Sequence, residues 1–327
     1  MPPLKIGILG AARIADHGIV DPSRVLGHRR VAVAARDRSR AETFAAQRGV
    51  EKVHQTYAEV IDDPEVEVVY NALVNSLHAQ WNQYALSAGK HVLSEKPFAS
   101  NAAEASLVRN VARTAPGQIV EGFHYLHHPV NQRLRELVTS GELGDVQQVD
   151  IELSIPAPPE TDPRWSLELA GGATMDLGCY VLNAARQVGR WSGETPSVVS
   201  AEATLKKPDI DSAMRVELAY PNGVQGQLHW DMNAEDRQMV WTVTGTAGRA
   251  VVPAFAVPHM DNRIVITRDG STEEKTLCEQ TSYTYQLAAL ADTPQTGAEF
   301  LIDVDDSVAN AELIDEVYRK AGLALRG

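Results

Sequence analysis

Leu4-Lys5-Ile6-Gly7-Ile8-Leu9-Gly10-Ala11-Ala12-Arg13-Ile14-Ala15 is the stretch that decides the fold. Leu4 to Leu9 reads as an apolar strand, and the small residues after it open a helical pattern. Glycine and alanine at such a turn let the backbone approach a pyrophosphate at a helix N-terminus, where exposed N–H groups and the helix dipole favour an anion. The spacing is a variant of the G-x-G-x-x-G fingerprint, and a tight strand-to-helix turn without a nucleotide would look similar. Its place at the first βα turn of the chain favours the dinucleotide reading. Gly7, Gly10, Ala11, Ala12, Arg13 and Ile14 are therefore the candidate cofactor residues.

Working outward, short apolar runs alternate with helical stretches over the first third of the chain. Val31–Ala35, Val66–Tyr70, His91–Leu93 and Gln118–Val120 continue the strand series. Ser39–Arg48, Leu77–Ala88 and Ala102–Arg113 are predicted helices. Strands alternating with helices mean βαβ units, and strands apolar throughout mean a parallel sheet covered on both faces. After about residue 122 the pattern changes. Val146–Ile155 alternates with period two. Met214–Tyr220 and Val224–Trp230 flank Pro221-Asn222-Gly223, a hairpin signal. Met239–Thr244, Ala250–Val252 and Arg263–Thr267 follow as strands, Ile155–Pro163 is a Pro-rich loop, and Asp303–Leu323 is an amphipathic helix. The expectation is an α/β chain: a Rossmann dinucleotide-binding domain over 1–122, then an α+β domain over 123–327 with an open, mostly antiparallel sheet. The second domain would carry substrate and oligomer contacts, with the final helix packing back on the first.

Composition removes other classes. The 327 residues carry a formal net charge of -13, which disfavours nucleic acid or an anionic membrane as a partner. No apolar run approaches the ~20 residues of a membrane span, and the start of the chain lacks signal-peptide features. Cys179 and Cys278 are the only cysteines, too few for a disulfide framework or a four-thiolate site, which fits a cytoplasmic protein.

Three further segments carry chemistry. The second strand ends Ala34-Ala35-Arg36-Asp37-Arg38-Ser39-Arg40. An NAD site usually has an acid there for the ribose 2′-OH, whereas the guanidinium of Arg36 suits a 2′-phosphate. NADP is favoured over NAD; in the alternative, the arginines form a solvated helix start and Asp37 serves the ribose. Ser94-Glu95-Lys96-Pro97 follows the strand at His91–Leu93, at a sheet end that faces a ligand crevice in such folds. There Lys96 is either a group that binds a substrate hydroxyl or a surface lysine. Gly171-Gly172-Ala173-Thr174-Met175-Asp176-Leu177-Gly178-Cys179-Tyr180 opens another helix. Asp176 and Tyr180, four apart, would share one helical face and would hold and deprotonate an alcohol, given a nearby cation such as Lys96 to lower the phenol pKa. In the alternative, Asp176 complements the helix dipole and Tyr180 is a core aromatic.

Together these segments, with Asn75-Ser76-Leu77-His78, Gly122-Phe123, Gly141–Gly144 and Gly245–Gly248, resemble the glucose–fructose oxidoreductase/inositol dehydrogenase (Gfo/Idh/MocA) family over nearly the whole chain. The Ala-Ala-Arg-Asp strand end is similar to the dimeric dihydrodiol dehydrogenase and NADP-dependent D-xylose dehydrogenase subgroup. The resemblance implies hydride transfer between nicotinamide and a hydroxyl-bearing carbon of a sugar, polyol or cyclic diol. It implies Lys96, Asp176 and Tyr180 as catalytic residues, with Tyr180 as acid/base. It adds Asn75, His78 and Glu95 as cofactor contacts and His124 and Trp165 as substrate contacts. It implies no metal, although His124, His127 and His128 have a spacing that could hold one on a helix. Pro129, which follows directly, argues against a helix there. This chain departs from many relatives at Val74 and at Phe123-His124-Tyr125-Leu126, where they carry Pro and Phe-Asn-x-Arg. A homo-oligomer, dimer or tetramer, is implied, paired through the open sheet face, which Leu228 and Trp230 would suit as well as they suit a core. A non-catalytic NADP-binding regulator of the same fold is the alternative function.

Overall fold

The computed structural model describes residues 2–296 and 301–327. The chain divides into two units, residues 1–124 with 283–309 and residues 125–282 with 310–327. The expected division into 1–122 and 123–327 thus differs from the observed one. Residues 283–309 join the first unit, and the second is interrupted.

The first unit is built on six parallel strands: β1 (Lys5–Leu9), β2 (Arg29–Ala34), β3 (Lys52–Val53), β4 (Val68–Asn71), β5 (His91–Ser94) and β6 (Ile119–Glu121), in the order β3-β2-β1-β4-β5-β6. The helices are α1 (Asp21–Leu26), α2 (Arg38–Arg48), α3 (Tyr57–Asp62), α4 (Asn75–Ser87) and α5 (Ala102–Ala112). β1 pairs with both β2 and β4, so the strand order reverses beside it, and a ligand crevice lies at the carboxyl ends of the strands around such a reversal. The middles of the strands are apolar because helices cover both faces; Ile6, Ile8, Val33, Val68 and Leu93 lie in one core with Phe44, Leu287 and Leu290. Gly7 permits that packing, since a Cβ there would come within 2.7 Å of Val60. The helix after β1 differs from a regular one: a π-helical turn spans Asp16–Val20 before α1. Gly18 in that turn leaves room for the Tyr70 hydroxyl, which a Cβ would meet at 2.1 Å.

The second unit contains α6 (Pro129–Thr139), β7 (Val146–Ser154), α7 (Cys179–Ser192), β8 (Ser197–Lys207), β9 (Ile210–Ala219), β10 (Gln225–Asp231), β11 (Gln238–Gly245), β12 (Gly248–Val252), β13 (Arg263–Arg268) and β14 (Ser271–Thr276). Its eight strands order as β14-β13-β12-β11-β7-β10-β9-β8. All pairings are antiparallel except β7 with β10, which are parallel. The sheet is thus mostly antiparallel, and the Pro221-Asn222-Gly223 turn joins β9 to β10 as the sequence predicts. Leu228 and Trp230, considered for an exposed pairing face, point inward and are buried. Trp230 lies against Gly178 and donates its indole N–H to Thr174 Oγ1 at 3.1 Å. The outward positions on β10 are Gln225, Gln227, His229 and Asp231. Two last helices, α8 (Ser282–Thr296) and α9 (Val304–Lys320), complete the chain. Among the described residues no helix is long and apolar enough to cross a membrane.

Candidate active site

In the first unit the candidate residues gather at the carboxyl ends of β1, β2, β4 and β5. Gly10 ends β1 at φ 93°, a left-handed conformation that glycine adopts without penalty. Its N–H donates to Ala34 O at 2.9 Å, and a Cβ would crowd Ala72 O at 3.2 Å. A helical turn begins beyond this bend at Ile14, and a helix start after such a bend is where folds of this kind bind an anionic pyrophosphate.

At the end of β2 the two sequence alternatives separate. Asp37 is the N-cap of α2, and its carboxylate accepts from the Ser39 N–H at 2.9 Å and the Ser39 hydroxyl at 2.7 Å. These bonds, the hydroxyl first, pull its pKa below the usual carboxylate value. Arg36 is exposed. Arg40 donates to Ala11 O at 3.2 Å, and a groove of about 230 Å³ beside it is lined by Ala11, Ser39, Thr43, Gln47 and Arg48. The acid is occupied by a helix cap, and the arginine beside it reaches solvent.

Lys96 follows β5, half-buried, and the Lys96–Pro97 peptide is cis. The loop is pinned on both sides. The Phe98 N–H donates to Glu121 Oε1 at 2.8 Å. The His78 ring lies 2.7 Å from Pro97 O through Nδ1 and 3.0 Å from Leu73 O through Nε2. His78, expected as a cofactor contact, is 1% exposed and braces the loops after β4 and β5. Burial pushes its pKa down while the two carbonyls pull it up. Glu95, also expected at the cofactor, is buried and accepts from the Tyr70 hydroxyl at 2.6 Å. Asn75 opens α4. Beneath these loops Asn71 donates to Asn82 Oδ1 at 2.8 Å and Asn82 to Ser94 Oγ at 2.9 Å. This buried amide chain ties β4, α4 and β5 together.

In the second unit Asp176 and Tyr180 lie where two helical geometries meet. Thr174–Gly178 is a π-helical turn and α7 begins at Cys179, so the spacing of four spans a junction rather than one regular α-helical face. π-Helical turns are frequent at functional sites. Asp176 Oδ2 accepts from Arg164 Nη1 at 3.1 Å. Arg164 is also forked onto Asp162 through Nε at 2.9 Å and Nη2 at 3.0 Å, and the two carboxylates, Asp162 first, raise its already high pKa. Tyr180 is 8% exposed, its ring 5.8 Å from that of Tyr125. Trp165, expected as a substrate contact, is buried, with its indole N–H donating to Pro158 O at 3.3 Å.

The three histidines do not form one helical face. His124–His127 is a 3-10 turn, and His128 is the N-cap of α6, accepting from the Val130 N–H at 3.3 Å. His124 stacks on Tyr283, ring centroids 3.7 Å apart. Burial lowers the His127 and His128 pKa values to about 4. Among the described residues no group of three or more acids, histidines or cysteines is placed to hold a metal ion. The sequence reading misses Asn71, Asn82, Asp162 and Arg164. Only Asn71, at the carboxyl end of a strand, carried a positional signal.

This geometry, a cofactor fold with a lysine loop and a sheet unit with a carboxylate and a phenol, has counterparts among known proteins. Residues 4–123 match the model of the oxidoreductase family with an NAD-binding Rossmann fold, and residues 131–251 match that of the GFO/IDH/MocA C-terminal domain. A D-xylose 1-dehydrogenase (NADP(+)) from Haloferax volcanii is 32% identical over 321 residues, covering 97% of both chains. A trans-1,2-dihydrobenzene-1,2-diol dehydrogenase from Xenopus laevis is 32% identical over 254 residues, 77% of this chain and 76% of its own. The crystal structure of a 3-ketoreductase from Actinomadura kijaniata, in complex with NADP and TDP-benzene, superposes with a TM-score of 0.88 at 27% identity, covering 97% of this chain and 98% of its own. The chain belongs to the Gfo/Idh/MocA family of oxidoreductases.

Proposed function

We propose that this protein is an NADP-dependent dehydrogenase or reductase acting on a CH–OH group of a sugar, polyol or cyclic diol. The observation that carries the cofactor choice is at the end of β2: Asp37 is committed to capping α2 while Arg36 stands exposed beside it. A guanidinium there binds a 2′-phosphate through charge-assisted hydrogen bonds. The left-handed Gly10 bend and the helix start at Ile14 fit the pyrophosphate. The D-xylose dehydrogenase and dihydrodiol dehydrogenase relatives support the substrate class.

NADP, when bound, supplies the hydride acceptor. In the oxidative direction the substrate C–H bond gives its electron pair as hydride, the carbon–oxygen bond becomes a carbonyl, and the hydroxyl proton passes to Tyr180. Lys96 binds the reacting oxygen of the substrate. Asp176 accepts a hydrogen bond from a substrate hydroxyl. The protein is assigned to the cytoplasm, which suits two unbridged cysteines. A homo-oligomer follows from the family resemblance, paired through the open face of the eight-stranded sheet that carries Gln225, Gln227 and His229. The test is a fluorescence titration with NADP and NAD, followed by turnover on aldoses, polyols and cyclic diols. Tighter binding of NADP with turnover of one class supports the reading; tighter NAD binding overturns the role of Arg36.

A further inference from the structure

The segment that bears Asp176 and Tyr180 rests on a pair of charges with no contact to solvent. Asp211, on β9, and Arg326 are both fully buried and lie 2.9 Å apart. Asp211 Oδ2 accepts from both the Thr174 N–H and the Thr174 hydroxyl at 2.6 Å. Its other oxygen accepts from Arg326 and from the Tyr318 hydroxyl at 3.3 Å. Arg326 donates through Nε to Gly171 O at 2.7 Å and through Nη1 to Ala324 O at 2.9 Å, and its guanidinium covers the Tyr318 ring at 4.2 Å. The fit is close. Gly172 sits at φ 118°, and a Cβ there would meet Asp211 Oδ1 at 2.2 Å.

A buried ion pair is a poor source of net stability, because desolvation offsets the attraction, and its best-attested benefit is to specify one arrangement. Here the arrangement specified is the Gly171–Thr174 turn from which the π-helical turn and α7 start. We propose that Asp211 and Arg326 are positioning residues for the reaction: through Thr174 and Gly171 they fix where Asp176 and Tyr180 stand. The inference rests on the catalytic reading of those two residues.

Thr174→Val keeps the shape of the side chain but removes its hydrogen bonds to Asp211 and Trp230, while Thr174→Ser keeps them. Arg326→Met removes the guanidinium. The full-length variants are compared with wild type in steady-state kinetics, NADP affinity, thermal melting and amide hydrogen exchange. The expected result for folded Thr174→Val is a kcat about tenfold lower, an unchanged NADP Kd, and exchange over residues 173–180 at least tenfold faster. Thr174→Ser should restore all of these, and Arg326→Met should exceed Thr174→Val. If Arg326→Met does not fold, the threonine pair decides. Unchanged exchange over 173–180 in Thr174→Val overturns the proposal, and so does a kcat within twofold of wild type. Absence of any wild-type turnover counts against the catalytic reading instead; the exchange comparison still decides whether the pair orders the segment.

Discussion

At the residue scale the account rests on Lys96, Asp176, Tyr180 and Arg36, each in a different local setting. Arg164 holds Asp176 from one side, and the loop of Lys96 is braced by His78 and Glu121. Tyr180→Phe removes one oxygen from a buried ring. It should lower kcat by about 10²–10⁴-fold, the usual contribution of a positioned acid or base. Arg36→Asp should weaken NADP binding by about 10–100-fold, the loss of a hydrogen bond to a charged group, with NAD binding weakened less or improved. Isothermal titration with both nucleotides checks this. The positions of Arg36 and Gly10 were legible in the sequence because they are local: one follows a strand end and the other makes a βα turn. Arg164 and Arg326 were not. Arg164 lies in a short 3-10 turn just after the Pro-rich loop, and Arg326 finds Asp211 across 115 residues. Partners that distant leave no spacing to read. His78 and Glu95 belong to recognisable motifs, but their buried partners, the Pro97 and Leu73 carbonyls and the Tyr70 hydroxyl, had no signal in the spacing.

At the element scale, five of the six strands of the first unit were legible because apolar runs buried on both faces have few alternative readings; β3, two half-buried residues at the sheet edge, was not. The helix α6 was not anticipated, although Val130, Leu134, Leu137 and Val138 give it a buried stripe behind the cap at His128 and the proline at its first position. β8 and β14 were also missed. Both lie at sheet edges, and edge strands carry charges that interrupt alternation; Ser271–Thr276 reads Ser-Thr-Glu-Glu-Lys-Thr and is almost wholly exposed. One junction between elements has a measurable pH signature. Asp63, after α3, accepts from Lys52 Nζ at 3.0 Å and the Glu65 N–H at 2.9 Å, and lies 3.0 Å from His54 Nε2. Burial pushes its pKa up, but these partners pull harder and lower it from 3.8 to about 2. A carboxyl depressed on folding stabilises the folded state above its unfolded pKa and loses that contribution as pH falls toward the folded value. Asp63→Asn should therefore cost about 1–2 kcal/mol at neutral pH, discounted for the water-exposed Lys52. The difference from wild type should shrink between about pH 4 and pH 2. Urea unfolding across that range measures it, and a constant difference would show that the Asp63 charge is not the cause.

At the scale of the whole molecule, the net charge of -13 is distributed unevenly. Arg36 stands at the proposed cofactor end of the first unit. The outer face of the second unit's sheet holds a cleft of about 690 Å³ lined by Asp150, Glu152, Glu202 and Glu217 against Arg215 and His229. Two copies paired through that face would bring like charges together, so added salt should strengthen the association by screening. Sedimentation at increasing ionic strength tests this; dissociation on adding salt would place the interface elsewhere. The central claim, hydride transfer to NADP with Tyr180 as the acid/base, is tested most directly by NADPH formation on a panel of aldoses, polyols and cyclic diols, wild type beside Tyr180→Phe. The account predicts turnover of at least one class by the wild type, faster with NADP than with NAD, and a Tyr180→Phe variant that binds NADP normally yet is slower by about 100-fold or more. Tight NADP binding with no NADPH formed from any substrate, or a Tyr180→Phe variant as fast as wild type, would contradict it.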